Sequence, residues 1–531
     1  MIESIANWLL YVCLSFVIGY TILQAISQKR RPEIMGDKIY LISIFITPLL
    51  LAVPVGRVVW VLSNQFGLSW IESIQTVLFE YSVGQAWFLS IMIVFVLITW
   101  KNKKNGWQQV ILAALLVGLA SWSSHAASIA GWGGFVGNYI HYLAVTVWIG
   151  ILAVVSWFSV DDKIPSPFFK WYSLTAAFSV SAIILSGFLL MGAIVPEYVQ
   201  SWLLTYGQLL LIKHLLFLPL LAFGFHHLVL GMKAEITKTG LTKQSFKIES
   251  VLAFVILLIS GMMTEQTPPH EVVRTLQTES ITPMMQLFIG DAVQIGVIHL
   301  TVSSIALITL LLSCLLFLYG LYQLLKKQTN YRSVISFVIA IIGIYFSFMM
   351  FVEVGDNQVD ETVYQTLEQA LMQNYEESTE LVVLKEMEVE NERYVVYTVN
   401  GDDLVAERLI KVEDGYQRLP VAMLTIGGTS VREEEQKIRT FRVQSGNWHD
   451  DDFVYTYVTF GMIQEPEDVV RVQVHYEGGS YIAQLENEVF LNVTSTNDAW
   501  DDQHPIDFLA EDGTVIETYA RNVMEEGVYC H

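Results

Sequence analysis

The sequence predicts an all-α polytopic membrane helix bundle of about ten transmembrane helices, followed by a small α+β soluble domain. Three observations predict it. Of 531 residues, 53% are hydrophobic and only 15% charged, with a mean hydropathy of +0.46, whereas about a quarter of a soluble chain is charged. The charge is also unevenly placed. From Gly355 onwards there are 37 acidic and 11 basic side chains, so the net charge of −22 belongs to that part, and the stretch before it is slightly basic. The hydrophobic period changes at the same point, from long apolar runs to short alternating ones.

A bilayer core of about 30 Å needs about 20 apolar residues in a helix. Ten stretches qualify, at roughly 5–27, 38–62, 86–100, 107–124, 138–160, 168–193, 207–232, 248–264, 292–325 and 332–353. The third is short, and the ninth is long enough to tilt or to extend past the membrane. The first is not a cleaved signal, because Lys29, Arg30 and Arg31 follow the apolar run instead of preceding it. One set of loops carries Lys29 to Lys38, Lys101 to Lys104, Lys163 and Lys170, Lys233 to Lys247, and Lys326 to Arg332; the other set has almost no Lys or Arg. The positive-inside rule makes the basic set cytoplasmic. The N-terminus is then extracytoplasmic, and with ten spans the C-terminal domain is too. Three parts follow: an eight-helix membrane core over 1–265, an outer loop with two additional spans over 266–353, and an acidic extracytoplasmic domain over 354–531.

In the last part, Val363, Leu367, Ala370 and Leu371 predict a helix within 360–377. Alternation predicts strands over 394–399, 438–443, 453–460, 469–476 and 489–493. Turn signals separate them at Asn400-Gly-Asp, Glu413-Asp-Gly, Gly478-Gly-Ser and Glu511-Asp-Gly. Cys13 and Cys314 lie in apolar runs and Cys530 is next to last, so no disulfide framework is expected. Long apolar runs and an acidic second part argue against nucleic-acid binding. No nucleotide-phosphate loop, nucleophile elbow or zinc-protease helix occurs, which argues against ATP-driven pumping and hydrolysis and for a role other than catalysis.

Ionisable groups inside spans are costly, and each is a candidate site. Arg57 sits close enough to a span end to snorkel. His125 ends one helix before the glycine-rich segment Gly131 to Gly137, and His141 opens the next span. A loop that short brings both imidazoles to the outer surface, where they suit a soft or borderline transition metal such as copper better than calcium or magnesium. The alternative is two unrelated histidines bonded to backbone carbonyls. Lys213, Phe217, Leu220, Gly224 and His227 form one helical stripe, while His214 and His226 point elsewhere. His227 is a candidate inner metal site, or else a headgroup-level residue. Met191, Met262, Met263, Met284 and Met285 collect near outer span ends; thioethers suit Cu(I), and flexible packing is the bland reading. Asp291 and His299 share a face of the ninth expected span. In the acidic part, Asp clusters near Trp448 and Trp500, with His475, His504 and His531, match no calcium loop.

Four segments carry a resemblance. They are His125-Ala126 before the glycine-rich segment, His141-Tyr-Leu-Ala-Val-Thr-Val-Trp-Ile-Gly150, Tyr206-Gly-Gln-Leu-Leu-Leu-Ile-Lys213, and Glu249 opening a span that ends Thr264-Glu-Gln-Thr-Pro-Pro269. In order and spacing the chain resembles the copper resistance protein D (CopD) family over an eight-helix core. The resemblance implies a bacterial inner-membrane protein that moves copper, working with an extracytoplasmic copper-binding protein. It makes His125 and His141 the outer copper-handling residues. The metal set expected is therefore His125, His141, His214, His227, Met262 and Met263. The chain departs from the family in having His226-His227 where relatives often carry Asn-Arg, and in its two added spans and acidic domain. Two rival readings stay open. Histidines at two depths could ligate haem in an electron-transfer protein, or the outer domain could act as a sensor or assembly factor with the core as its anchor.

Overall fold

The computed structural model describes residues 2–64, 68–100, 106–160, 163–237, 241–269, 272, 275, 281–289, 298–327, 331–354, 362–373, 375, 378–389, 392–401, 403–426, 436–447, 452–463, 468–498, 500 and 505–519. The chain divides into a membrane unit, Met1–His270 with Leu300–Val352, and a second unit, Glu271–His299 with Glu353–Tyr529.

The membrane unit contains α1 (Ile2–Ala25), α2 (Asp37–Asn64), α3 (Trp70–Glu80), α4 (Ser82–Thr99), α5 (Gly106–Trp122), α6 (His125–Phe158), α7 (Ser166–Ile194), α8 (Thr205–Thr237) and α9 (Lys243–Met263). A hairpin of α10 (Ser304–Lys327) and α11 (Tyr331–Phe351) follows. Among the described residues nine helices are long and apolar enough to cross a membrane, and α5, with 17 residues, is a shorter apolar helix. The ten expected spans thus all reappear as apolar helices. The extra helix, α3, is opened by a capping box: Ser69 Oγ accepts from the Glu72 amide and Glu72 Oε2 accepts from the Ser69 amide.

Three expectations are corrected. The glycine-rich segment is not a loop between two helices. His125 begins a helix rather than ending one, and α6 continues to Phe158 through a single break at Ala130 and Gly131, where Gly131 takes φ 51°. A positive φ is the conformation that glycine supplies without a Cβ clash. The ninth span starts at Ser304, not at about 292; His299 lies in an extended segment, and Asp291 lies outside the described residues.

α1 is the centre of the bundle, packed against α2, α5, α6 and α9. Its seam with α6 is backbone on backbone. A Cβ on Gly19 would stand 2.1 Å from the Gly150 carbonyl carbon, and one on Gly150 would stand 2.1 Å from the Ser15 carbonyl oxygen. Small residues at helical spacing permit this approach and its dispersion contacts, which replace the hydrophobic drive that lipid removes. Some buried hydroxyls are satisfied within their own helices, as where Thr21 and Thr47 donate to the carbonyls of Val17 and Ser43.

Two ends of the unit can be told apart. At one, Asn7 donates to Thr264 Oγ1, the Ser4 amide donates to Glu265, and Arg57 pairs with Glu3 at 2.6 Å, which explains that cation. At the other, Lys243 donates to the Ser159 carbonyl, Trp171 donates to the Arg30 carbonyl, and Lys163–Ile164 pairs antiparallel with Leu241–Thr242. These are called the Thr264 end and the Lys243 end below. α11 runs antiparallel to α8, with Phe337 against Phe223, Tyr345 bonded to Gln208, and Phe348 stacked on Trp202, so α11 finishes at the Thr264 end.

The second unit is dominated by strands. The helix expected within 360–377 shrinks to α12 (Leu367–Met372), capped by Thr366. β1 (Leu381–Val389), β2 (Glu392–Val399), β3 (Asp403–Val412) and β4 (Gly415–Ile426) form an antiparallel meander. Asn400 and Gly401, with φ 52° and 74°, turn β2 into β3, as an Asn-Gly hairpin requires. β5 (Gln436–Asn447) and β6 (Asp452–Ile463) pair with β9 (Val489–Thr496) in the order β9-β6-β5. β7 (Arg471–Tyr476), β8 (Gly479–Gln484), β10 (Ile506–Leu509) and β11 (Val515–Tyr519) form a sheet ordered β8-β7-β10-β11. The three-stranded sheet is the middle layer. Its Val458, Phe460 and Leu491 pack with Tyr394 and Leu404 of the meander, while Tyr457 and Phe490 pack with Val472 and Phe508 of the other sheet. Alternate side chains of one strand thus serve two cores.

Candidate functional site

The polar interior of the membrane unit lies between α6, α7, α8 and α9, and it has two stations. The first is built by His141 of α6 and by Lys213 and His214 of α8. His141 lies ten residues beyond the Gly131 break, about 15 Å along the helix, and its Nδ1 meets Ser186 Oγ of α7 at 3.1 Å. Gly187, next to that serine, leaves room for the ring: a Cβ there would sit 3.6 Å from His141 Cε1. Lys213 and His214 are ionisable groups of α8 that bear on His141. His214 Nδ1 in turn meets the Tyr198 hydroxyl at 2.9 Å.

Below this station the stripe read from the sequence holds. Phe217 crosses Trp148 edge-on at a centroid separation of 6.3 Å, and Gly224 faces Trp148 and Glu249. Trp148, 2% exposed, fills the space between the stations. The second station is His227, whose Nδ1 meets Glu249 Oε2 at 2.6 Å and whose Nε2 meets Ser245 Oγ at 2.6 Å. Ser245 and Glu249 are one turn apart on α9, so one helical face holds both ring nitrogens. Phe246 stacks on the imidazole at 4.1 Å. Lys213 and His227 are fourteen residues apart, about 21 Å along α8, so the stations lie at different depths.

The predicted residues fall into three places. His141 and His214 come together at the first station, and His227 makes the second. His125 stands apart at the Thr264 end, with Nε2 3.2 Å from the Thr264 carbonyl oxygen. His125 and His141 therefore have different partners: His125 opens the short helical segment before the Ala130–Gly131 kink, and His141 lies well into the helix that follows it. Met263 is buried among Val195, Leu210 and Ile259, whereas Met262 is 42% exposed. Met284 and Met285 belong to a short helix of the second unit, Pro283–Ile289. Among the described residues no group of three or more His, Cys, Asp or Glu side chains could hold a metal ion. Any soft ion held here would have two- or three-point imidazole, hydroxyl or thioether contacts, which is the low coordination that Cu(I) accepts. His270, His504 and His531 lie outside the described residues.

Glu249 is the buried partner of His227 that the sequence does not single out as a site residue. It was singled out only as opening a span, yet it is 1% exposed and holds His227. The signal was present, because it is one of only two carboxylates, with Glu353, that fall within the expected spans.

Comparison with known proteins agrees with this interior. Residues 2–135 match the family described as copper resistance protein D-like, N-terminal domain, and residues 166–263 match copper resistance protein D. The copper transport protein CutJ of Bacillus subtilis (strain 168) is 29% identical over 145 residues, a match that covers 26% of this chain and 26% of that protein. The chain therefore matches about a quarter of the length of that curated relative. No solved structure matches. The two family matches follow each other along the membrane unit, and over residues 2–135 and 166–263 this chain is similar to the copper resistance protein D family.

Proposed function

We propose that the chain is a plasma-membrane copper transport protein in which copper passes from the Thr264 end, by way of His141 and His214, past the Trp148–Phe217 contact, to His227. The observation that supports this reading best is the alignment of two polar stations on facing stripes of α6 and α8 inside an otherwise apolar bundle. A buried histidine kept without function would be an expense in a membrane interior. His125 and the exposed thioether of Met262 lie where an arriving ion first meets protein, and Met263 lines the apolar cluster beneath them. Copper is cargo here, and the role is transport, not catalysis.

Orientation follows from charge. Arg30, Arg31, Lys170, Lys243 and Lys247 lie at the Lys243 end, which the positive-inside rule assigns to the cytoplasm of a bacterium. The chain leaves α11 at the Thr264 end, so the acidic C-terminal domain is extracytoplasmic, where an extracytoplasmic copper-binding protein could meet it. Haem is the weaker reading, because Nε2 of His227 is bonded to Ser245 and its Nδ1 lies 2.6 Å from Glu249.

The test is copper accumulation in cells producing His125→Ala, His141→Ala and His227→Ala at equal protein level. Loss of accumulation in His141→Ala and His227→Ala is expected. Accumulation at the unsubstituted level in both would overturn the pathway.

A further inference from the structure

Gly224 is a glycine that packing does not explain. Gly19 and Gly150 have no room for a side chain, since a Cβ on either would stand 2.1 Å from the backbone of the facing helix. At Gly224 a Cβ would stand 3.8 Å from Trp148 Cζ2 of α6 and 4.0 Å from Glu249 Oε1 of α9, both ordinary contact distances. Outside its own helix, no other atom of the described residues comes within 4 Å of that point. Alanine would therefore fit, and a glycine inside a helix is destabilising relative to alanine. The space so kept is enclosed, with Trp148 2% and Glu249 1% exposed. Glu249 Oε2 is taken by His227 at 2.6 Å, and Oε1 is the oxygen turned towards Gly224. Among the described residues the Trp148 indole N–H makes no hydrogen bond of ordinary geometry; the Tyr172 hydroxyl bears on it but is itself unsatisfied. Buried polar atoms left in this way mark a place that water or a ligand completes.

A methyl-sized space between an indole ring and a carboxylate oxygen suits a small cation. The ring attracts it through its quadrupole, more strongly when water is excluded, and the carboxylate meets its charge at close range. Gly224 precedes His227 by three residues, about 4.5 Å along α8, so an ion there stands one turn from the second station. Resting on the transport reading above, we infer that the space beside Gly224 is a cation seat, in which Cu(I) rests between the Trp148 ring and Glu249 before it reaches His227. Cu(I) suits this seat better than a hard ion does. A soft, polarisable ion accepts a π system and one oxygen in place of its water, whereas calcium and magnesium demand six or more oxygens. Nothing is oxidised or reduced, and no bond within the protein is broken.

The full chain, purified in detergent with fluorotryptophan in place of its 14 tryptophans, tests this by fluorine NMR. Trp148→Phe identifies the Trp148 resonance by its loss. Silver(I), a redox-stable stand-in for Cu(I), should shift that resonance saturably, and potassium should not. Gly224→Ala, which the contact distances accommodate, puts a methyl group in the seat and should weaken the silver response of Trp148 by about tenfold or more. A Trp148 resonance that silver does not move, that potassium moves equally, or that silver moves equally in Gly224→Ala overturns the inference. Copper uptake into proteoliposomes is measured in parallel on unsubstituted protein. Uptake with an unmoved Trp148 resonance overturns the seat and leaves the transport reading standing; a silver response with no copper uptake overturns the transport reading and leaves the seat. Should Trp148→Phe fail to elute as a folded species, the resonance is assigned as the one that Gly224→Ala moves in the absence of metal.

Discussion

Removing the carboxylate that holds His227 should separate structural from functional contributions at the second station. In the structure His227 Nε2 shares a hydrogen bond of 2.6 Å with Ser245 Oγ, its Nδ1 lies 2.6 Å from Glu249 Oε2 as a buried ion-pair contact, and its ring stacks on Phe246. Glu249→Ala leaves His227 Nδ1 without an acceptor and opens a void in a site 1% exposed. Breaking a buried partnership of this kind costs about 3 kcal/mol or more. Glu249→Gln keeps an oxygen or an amide at the same position and should cost about 1 kcal/mol. At about 2.1 cal/mol/K of unfolding entropy per residue, 531 residues give about 1 °C of Tm for each kcal/mol, so Tm should fall by about 3 °C for alanine and about 1 °C for glutamine. Tryptophan fluorescence during heating of detergent-purified protein provides the assay, with size-exclusion elution confirming one species before heating. Equal Tm values for both variants and the unsubstituted protein would refute the reasoning, since the pair would then contribute nothing to the packing of α8 on α9.

Three further outcomes are expected. Gly150→Val should prevent stable folding, because its Cβ alone would lie 2.1 Å from the Ser15 carbonyl oxygen, and overpacking of even a yielding core costs about 1–3 kcal/mol; recovery of monodisperse protein in normal yield would contradict this. Gln208→Leu should loosen the α10–α11 hairpin, since Gln208 bonds Tyr345 and the Trp202 carbonyl, and faster amide exchange confined to α11 is the readout. In the C-terminal domain partial burial pushes the Asp507 carboxyl up, but hydrogen bonds from Thr518 and His475 outweigh it and hold it below its ordinary value of 3.8. A depressed carboxylate stabilises the fold above its unfolded value and loses that contribution as pH falls through the folded one. Exchange of β10 and β11 amides should therefore accelerate below about pH 4, and Asp507→Asn should abolish that dependence.

Much of this was legible in the sequence, for reasons that differ by element. The spans were readable because a bilayer demands a length of apolar helix that few other contexts produce. The stripe from Lys213 to His227 was readable because helical period alone fixes which residues share a face, and Trp148 with Glu249 duly face it. The placing of His125 was misread, since Gly131 to Gly137 looked like a turn and instead continues a helix past one positive-φ residue. Glycines in a membrane helix permit close packing as readily as they break it, and composition does not separate the two. The Ser245–His227–Glu249 arrangement depends on two helices meeting, which no spacing within either one reveals. In the second unit the turn signals were sound, and each was flanked by a hairpin. β1, β3, β4, β8, β10 and β11 are not among the expected strands; in β1 and β3 charged residues interrupt the alternation, including Glu407, which is buried against Tyr397 and Arg418. Burial pushes the Glu407 carboxyl up, which identifies a carboxylate placed for its partners and not for solvent.

The backbone seam between α1 and α6 sets a mechanical boundary on how cargo can move. Two helices with no room for a methyl group between them can neither part nor slide without losing every close contact at once. α1 and α6 are in effect a chassis, and one wall of the passage, with His141 and Trp148, is fixed to it. Under the transport proposal, any alternating exposure of the two stations would have to come from the opposite wall, α8, which Pro219 interrupts between its two stations.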